Sequence, residues 1–191
     1  SLASHIALLE AGLPFTADKV DMRTRQTSDG RDFTTVNPNG YVPSLELDNG
    51  EILNEGQAIL QYIADQKPAA QLAPPAGTMP RYRVLEWLSF ISSEVHKGFG
   101  PLLRPGGPED TKAAIREKLG LRLNFVAQHL ASRQYLVGDH FTVADAYLYT
   151  ILTWTRIAGI DLSAWPVLAA YRERIQQRPA VQAARAAEGL K

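Results

Sequence analysis

Apolar residues recur at helical spacing from the start of the chain. Leu2, Ile6 and Leu9 lie on one face of a predicted helix, which ends before Pro14. Residues 15–21 then indicate a short strand, and a polar stretch follows. The chain therefore opens with a helix and a weakly signalled strand.

A period of two replaces the helical period further on. Apolar and polar side chains alternate over residues 42–47, residues 48–50 read Asp-Asn-Gly, and Ile52-Leu53 resumes the strand. This pattern predicts an antiparallel hairpin. Asn54 then predicts a helix N-cap, with Gln57 three residues later as in a capping box.

A segment over residues 67–80 separates two kinds of pattern. It contains four prolines and a glycine, a density that the interior of a helix or strand does not tolerate. The pattern beyond it is helical throughout. We therefore predict an α/β domain over residues 1–66, a linker over residues 67–80, and an all-helical domain over residues 81–191.

The sharpest local signal lies in the second domain. Thr142 predicts a helix N-cap, and Asp145 stands at the third position, where its carboxylate can bond back to the amide of the cap. Taken alone, this capping box predicts a well-defined helix start and nothing more.

The composition narrows the classes of function. Hydrophobic residues make up 45% and charged residues 21% of the chain, which is typical of a folded globular protein. Lys plus Arg and Asp plus Glu number 20 each, so no excess charge recruits nucleic acid or an anionic membrane. Asp145 and Arg156 interrupt the longest apolar run, which predicts no membrane span. No stretch resembles a signal peptide, so we expect a cytoplasmic protein.

Cysteine and histidine usage limits the available chemistry. The chain has no cysteine, which excludes a disulfide, a thiolate zinc site and a thiol nucleophile within these residues. Its four histidines are scattered without ligand spacing, so we expect no metal. A small neutral or zwitterionic ligand fits this composition best.

Four segments in order resemble the glutathione S-transferases. They cover residues 1–6, 37–45, 54–59 and 138–145, and the stretches Glu94-Val95-His96-Lys97-Gly98-Phe99 and 187–191 are similar to the bacterial beta class. The resemblance covers essentially the whole chain. It implies a thioredoxin-like first domain followed by an all-helical domain with a hydrophobic substrate pocket. It also implies a homodimer, glutathione as co-substrate, and a small hydrophobic electrophile as second substrate.

The resemblance also concerns the start of the first helix. Members of this kind carry a cysteine immediately before the serine that stands here as Ser1, where free amides and the helix dipole lower the pKa of a thiol. We expect that cysteine, and the first strand of the sheet, to precede Ser1. Ser1 itself is interpreted as a helix cap, or as a hydrogen-bond donor to a bound thiolate.

The resemblance implies a glutathione site in the first domain. Val42, before a cis Pro43, would bind the cysteinyl backbone as an added strand does. Glu55 and Gly56, at a helix start, would hold the γ-glutamyl end through a carboxylate and free amides. Arg25 would contact the glycyl carboxylate. Without the resemblance, Pro43 is an ordinary strand-entry proline, Glu55 a dipole-stabilising acid, and Arg25 a solvated loop charge.

The resemblance assigns further residues to the long helix that faces the first domain. His96 would reach the thiol region, with Lys97 beside it, although a lone helical histidine is more often structural. Ser89 and Glu94 face the same cleft if the helix is regular. Ser89 departs from the asparagine that is common in the class. Trp154 falls at the hydrophobic pocket and is interpreted as a core residue.

Three functions remain open from the sequence. The first is an enzyme that transfers glutathione to electrophiles, or uses it in thiol-disulfide and peroxide reduction through the expected cysteine. The second is a non-catalytic protein that binds glutathione or sequesters ligands. The third is an interaction module. The sequence ends directly after the last predicted helix, which argues against this function.

Overall fold

The computed structural model describes residues 2–104 and 106–190. The first part of the chain contains α1 (Leu2–Ala11), β1 (Val20–Asp21), β2 (Gln26–Thr27), β3 (Ser44–Glu46), β4 (Ile52–Asn54) and α2 (Gly56–Gln66). The second part contains α3 (Met79–Phe90), α4 (Lys97–Leu103), α5 (Glu109–Leu130), α6 (Val143–Leu152), α7 (Pro166–Gln176) and α8 (Pro179–Ala187). This order confirms a small mixed unit followed by an all-helical one.

The strands form two separate antiparallel ladders. β3 pairs with β4, with Leu45 opposite Leu53, which confirms the predicted hairpin. β1 pairs with β2, and no ladder joins the two pairs among the described residues. A groove of about 890 Å³ lies between them, lined by residues of both ladders, α1 and α2.

The strand predicted over residues 15–21 is wrong in its length. Only Val20–Asp21 form a strand, since the preceding residues have no backbone partner in a ladder. Asp18 instead accepts a hydrogen bond from the amide of Ser28 at 3.1 Å. β2 arises in the segment that the sequence assigned to a polar loop.

The N-cap predicted at Asn54 is also wrong. Asn54 is the last residue of β4, and its side-chain oxygen accepts a hydrogen bond from the Ser44 hydroxyl at 2.6 Å across the hairpin. Glu55 takes the cap position without a side-chain bond to the helix, and α2 begins at Gly56. The cross-strand bond therefore takes the side chain that the capping box needed.

A π-helical turn over residues 91–96 joins α3 to α4. The wider turn accommodates one residue more than an α-helical turn, so residues after it are rotated by about 100° relative to residues before it. The helix is therefore irregular where the sequence analysis placed Ser89, Glu94 and His96 on a common face.

Helix α6 is the centre of the core. All of its residues are buried, and it packs against α1, α3 and α7. The predicted capping box is confirmed, because the Asp145 carboxylate accepts the amide of Thr142 at 2.9 Å. None of the helices in the described segments combines the length and hydropathy needed to cross a bilayer. Helix α6 carries Tyr147, which belongs to the site described next.

Candidate active site

The first wall of the site is built around the Val42–Pro43 peptide bond, which is cis. The buried Asn37 organises the preceding loop: its side-chain amide donates to the carbonyl of Tyr41 at 2.8 Å. A Cβ atom on Gly56 would lie 3.8 Å from the Pro43 ring, so Pro43 adjoins the start of α2. Val42 is 39% exposed, which leaves it available to a ligand.

Glu55 lies beside this bond, at the N-terminus of α2. Its φ of 67° is in the left-handed region, which a side chain seldom adopts. The side chain is exposed, and the free amides of the first helical turn follow it. Burial raises the pKa of Tyr147 on α6, and the negative charge of Glu55 raises it further. Glu55 is therefore near enough to the helical domain for its charge to act on Tyr147.

Arg25 is held against the loop that Asn37 organises. It too has a positive φ, of 60°. Its guanidinium donates to the carbonyl of Gly40, so this half-buried arginine is not a solvated loop charge. Arg25 thereby adjoins the loop that leads to Val42 and Pro43.

The second wall of the site contains His96. Its Nδ1 lies 2.7 Å from the hydroxyl of Tyr147, and its ring meets Trp154 edge-on with centroids 4.8 Å apart. Burial, and next the charge of Lys97, lower the pKa of His96. The imidazole is therefore neutral at pH 7. Trp154 is half-buried and lines this site as well as packing on Phe99.

The remaining predicted residues are distributed differently. Glu94 accepts a hydrogen bond from Nε of Arg122 at 2.7 Å, an ion pair with α5. Ser89 is exposed, and its carbonyl accepts the Ser93 hydroxyl. Residues 91–96 form the π turn, so the premise of a regular helix is wrong. Their assignment to glutathione stays a prediction, as does that of the exposed Lys97.

Two predictions cannot be placed in this geometry. Ser1 lies outside the described residues, so its role stays a prediction. Within residues 2–104 and 106–190, no three His, Asp or Glu side chains are grouped so that they could hold a metal ion.

Comparison with known proteins gives this arrangement a family. The model of the glutathione S-transferase N-terminal domain matches residues 1–66, and that of the C-terminal domain matches residues 90–179. Glutathione S-transferase GstA of Escherichia coli O157:H7 is 45% identical over 191 residues, covering 100% of this chain and 95% of that protein. The chain belongs to the glutathione S-transferase family.

Solved structures place it within the family. A sphingomonad glutathione S-transferase complexed with glutathione is 52% identical, with a TM-score of 0.96 over 100% of this chain and 94% of that one. A beta-class glutathione S-transferase from Sphingomonas chungbukensis is 51% identical, with a TM-score of 0.96 and the same coverages. The resemblance to the bacterial beta class is confirmed, and with it the thioredoxin-like fold of the first domain.

Sequence reasoning missed one polar residue of this site. Tyr147 lies within an apolar helix and was not singled out, although a buried tyrosine hydroxyl usually needs a partner. Its contact with His96 could not be predicted, because the two residues are 51 positions apart and meet only through packing.

Proposed function

We propose that the chain is a glutathione transferase, an enzyme that conjugates glutathione to small hydrophobic electrophiles. The observation that carries this proposal is the approach of two walls: the Val42–Pro43 bond with Glu55 on one side, and His96 with Tyr147 on the other. The names of the close relatives, and the glutathione in the sphingomonad structure, support it.

The residues of the first wall suit the peptide part of glutathione. An extended tripeptide can pair with the backbone of Val42 ahead of Pro43. Glu55 can hold the γ-glutamyl ammonium group while the amides after Gly56 take the carboxylate. Arg25 suits the glycyl carboxylate, because a guanidinium binds carboxylates in a bidentate manner.

The second wall suits the sulfur and the electrophile. His96 can hydrogen-bond to the glutathione thiolate and so lower the free energy of its reactive form. Trp154 offers an apolar face to a hydrophobic substrate. In the reaction the thiolate sulfur bonds to the electrophilic carbon, and the leaving group departs with the bonding electron pair. Thiol-disulfide or peroxide reduction is a further reaction of this site only if the expected cysteine precedes Ser1.

The finer features follow from the same proposal. We expect a homodimer acting in the cytoplasm in the removal of electrophiles, without a metal. We also propose the division into residues 1–66, a linker at 67–80 and residues 81–191. Size-exclusion chromatography with light scattering tests the dimer.

The function is tested with the full chain. Calorimetry should show binding of glutathione and of ophthalmic acid, the analogue without a thiol, because the first wall recognises the peptide part. Conjugation to 1-chloro-2,4-dinitrobenzene is then measured by absorbance. Binding without conjugation would favour the non-catalytic alternative, and absence of binding would overturn both.

A further inference from the structure

A tyrosine lies behind the second wall of the site. The hydroxyl of Tyr147 lies 2.7 Å from Nδ1 of His96. Among the described residues, Nε2 of His96 has no hydrogen-bond partner. The group that donates the proton in this contact decides whether Nε2 of His96 meets a ligand as a hydrogen-bond donor or as an acceptor.

Tyr147 keeps its proton. Burial of the hydroxyl and the nearby charge of Glu55 raise the pKa of Tyr147, so the phenol is neutral over the working range of pH. The phenol proton of Tyr147 is therefore available to the imidazole of His96.

His96 accepts the hydrogen bond from the Tyr147 hydroxyl. Burial and the charge of Lys97 lower the pKa of His96, so the ring is neutral and carries one proton. Glu55, Lys97 and the phenol are the titratable groups that act on this pair. A phenol is a stronger donor than a serine hydroxyl, and the unprotonated imidazole nitrogen is its natural acceptor. Since Nδ1 accepts, the ring proton belongs on Nε2.

We propose that Tyr147 is a positioning residue: its hydroxyl forms a relay to His96 that holds the ring in its Nε2–H tautomer, so that the histidine meets the glutathione sulfur as a hydrogen-bond donor and not as a base. This inference rests on the proposed function for its ligand, whereas the tautomer is a property of the unliganded protein. Trp154 packs edge-on against the imidazole of His96 and so helps to fix the plane of that ring.

The tautomer is tested first. Two-bond 1H–15N spectra of the full chain should show the Nε2–H form for His96, whose signal is assigned by its loss in His96→Gln. His129, whose Nε2 donates to the carbonyl of Leu136 at 2.8 Å, should give a second Nε2–H signal that is unchanged in every variant. Tyr147→Phe should convert the His96 signal to a mixture of tautomers. Tyr149→Phe is the control, because it removes a hydroxyl from the same helix that bonds to Gln176 and Arg185. An Nδ1–H form in the unaltered protein would overturn the relay.

Conjugation kinetics then separate a donor from a base. Glutamine places an amide N–H near the position of Nε2 but cannot accept a proton, so kcat of His96→Gln should fall by less than about tenfold. Loss of a general base costs about 100-fold or more, and such a loss in His96→Gln would overturn the donor role. Tyr147→Phe should lower kcat by about tenfold, with KM for glutathione unchanged.

The two proposals fail in different ways. An Nε2–H tautomer in a protein that binds no glutathione would support the relay and overturn the proposed function. Binding and conjugation in a protein whose His96 tautomer is unaffected by Tyr147→Phe would support the function and overturn the relay. Thermal unfolding of Tyr147→Phe and Tyr149→Phe shows whether either variant has lost its fold.

Discussion

Glu55 is exposed, makes no side-chain bond to the helix that it precedes, and occupies a positive-φ position at a helix start. A charged group held this way suits a ligand ammonium. Glu55→Gln should raise the Kd for glutathione by about 10- to 100-fold, the loss of a hydrogen bond to a charged group. Glu51→Gln, on the exposed hairpin turn, is the control. If calorimetry gave equal affinities for glutathione in the two variants, Glu55 would only stabilise the helix dipole.

Gly40 is constrained by its neighbour as well as by its backbone. Its φ is 64°, and an added Cβ would lie 2.5 Å from the guanidinium of Arg25. Gly40→Ala should therefore destabilise the protein and displace Arg25, weakening glutathione binding severalfold. Gly50→Ala, with φ of 82° and open space around the added carbon, carries the backbone cost of about 1 kcal/mol without the contact. Gly40→Ala should lower both the free energy of unfolding and the affinity for glutathione more than Gly50→Ala does. Equal effects of the two substitutions would show that the contact with Arg25 does not matter.

At the scale of single residues, the family resemblance suggested residues for both walls of the site, and their roles stay predictions. Val42, Pro43 and Glu55 lie in one stretch of the chain, around the hairpin. His96 and Tyr147 are 51 positions apart and meet only through packing. No pattern along the chain predicts such a pair, and Tyr147 was missed for that reason.

Among the elements, α6 depends most on one side chain. Asp145 is fully buried, and its carboxylate accepts the amides of Leu136 and Thr142 and the hydroxyl of Tyr171. Burial raises the pKa of Asp145, while these bonds oppose that rise. Asp145→Ala would leave several buried donors unsatisfied and should lower the free energy of unfolding by about 3 kcal/mol or more.

The control for this prediction is another capping aspartate. Asp161 accepts the amide of Ser163 at 2.9 Å and is exposed. Asp161→Ala should cost about 1 kcal/mol, the usual contribution of an exposed cap. Chemical denaturation of both variants measures the difference. A cost at Asp145 no larger than that at Asp161 would contradict the central role of the buried carboxylate.

The elements that the sequence predicted well are those with strong local rules. The β3–β4 hairpin and the Asp145 cap were correct because turn and capping residues act within a few positions. Asn54 was wrong because a cross-strand bond to Ser44 competes for its side chain. The π turn at 91–96 has no local signal in the apolar pattern, which continues through it.

At the scale of the whole molecule, the site exists only where the two predicted domains meet. Helix α1 of the first domain packs against α2, α6 and α8. Glu55 acts on Tyr147 across the same junction. The strand expected before Ser1 stays a prediction. Docking of the domains is therefore a condition for function.

One ion pair at this junction connects α1 with the start of α8. Glu10 accepts two hydrogen bonds from Arg178, at 2.6 and 2.9 Å, with side chains 13% and 30% exposed. A double-mutant cycle of Glu10→Gln and Arg178→Met should give a coupling of about 1 to 3 kcal/mol in unfolding free energy, since the bidentate pair is largely shielded from water. The pair Arg83–Glu86, with both side chains 59% exposed, is the control and should couple by less than about 0.5 kcal/mol.

Because α1 also packs against α6, breaking the Glu10–Arg178 pair should raise KM for glutathione, while breaking the Arg83–Glu86 pair should not. Equal couplings in the two cycles would show that the junction is held by apolar packing alone.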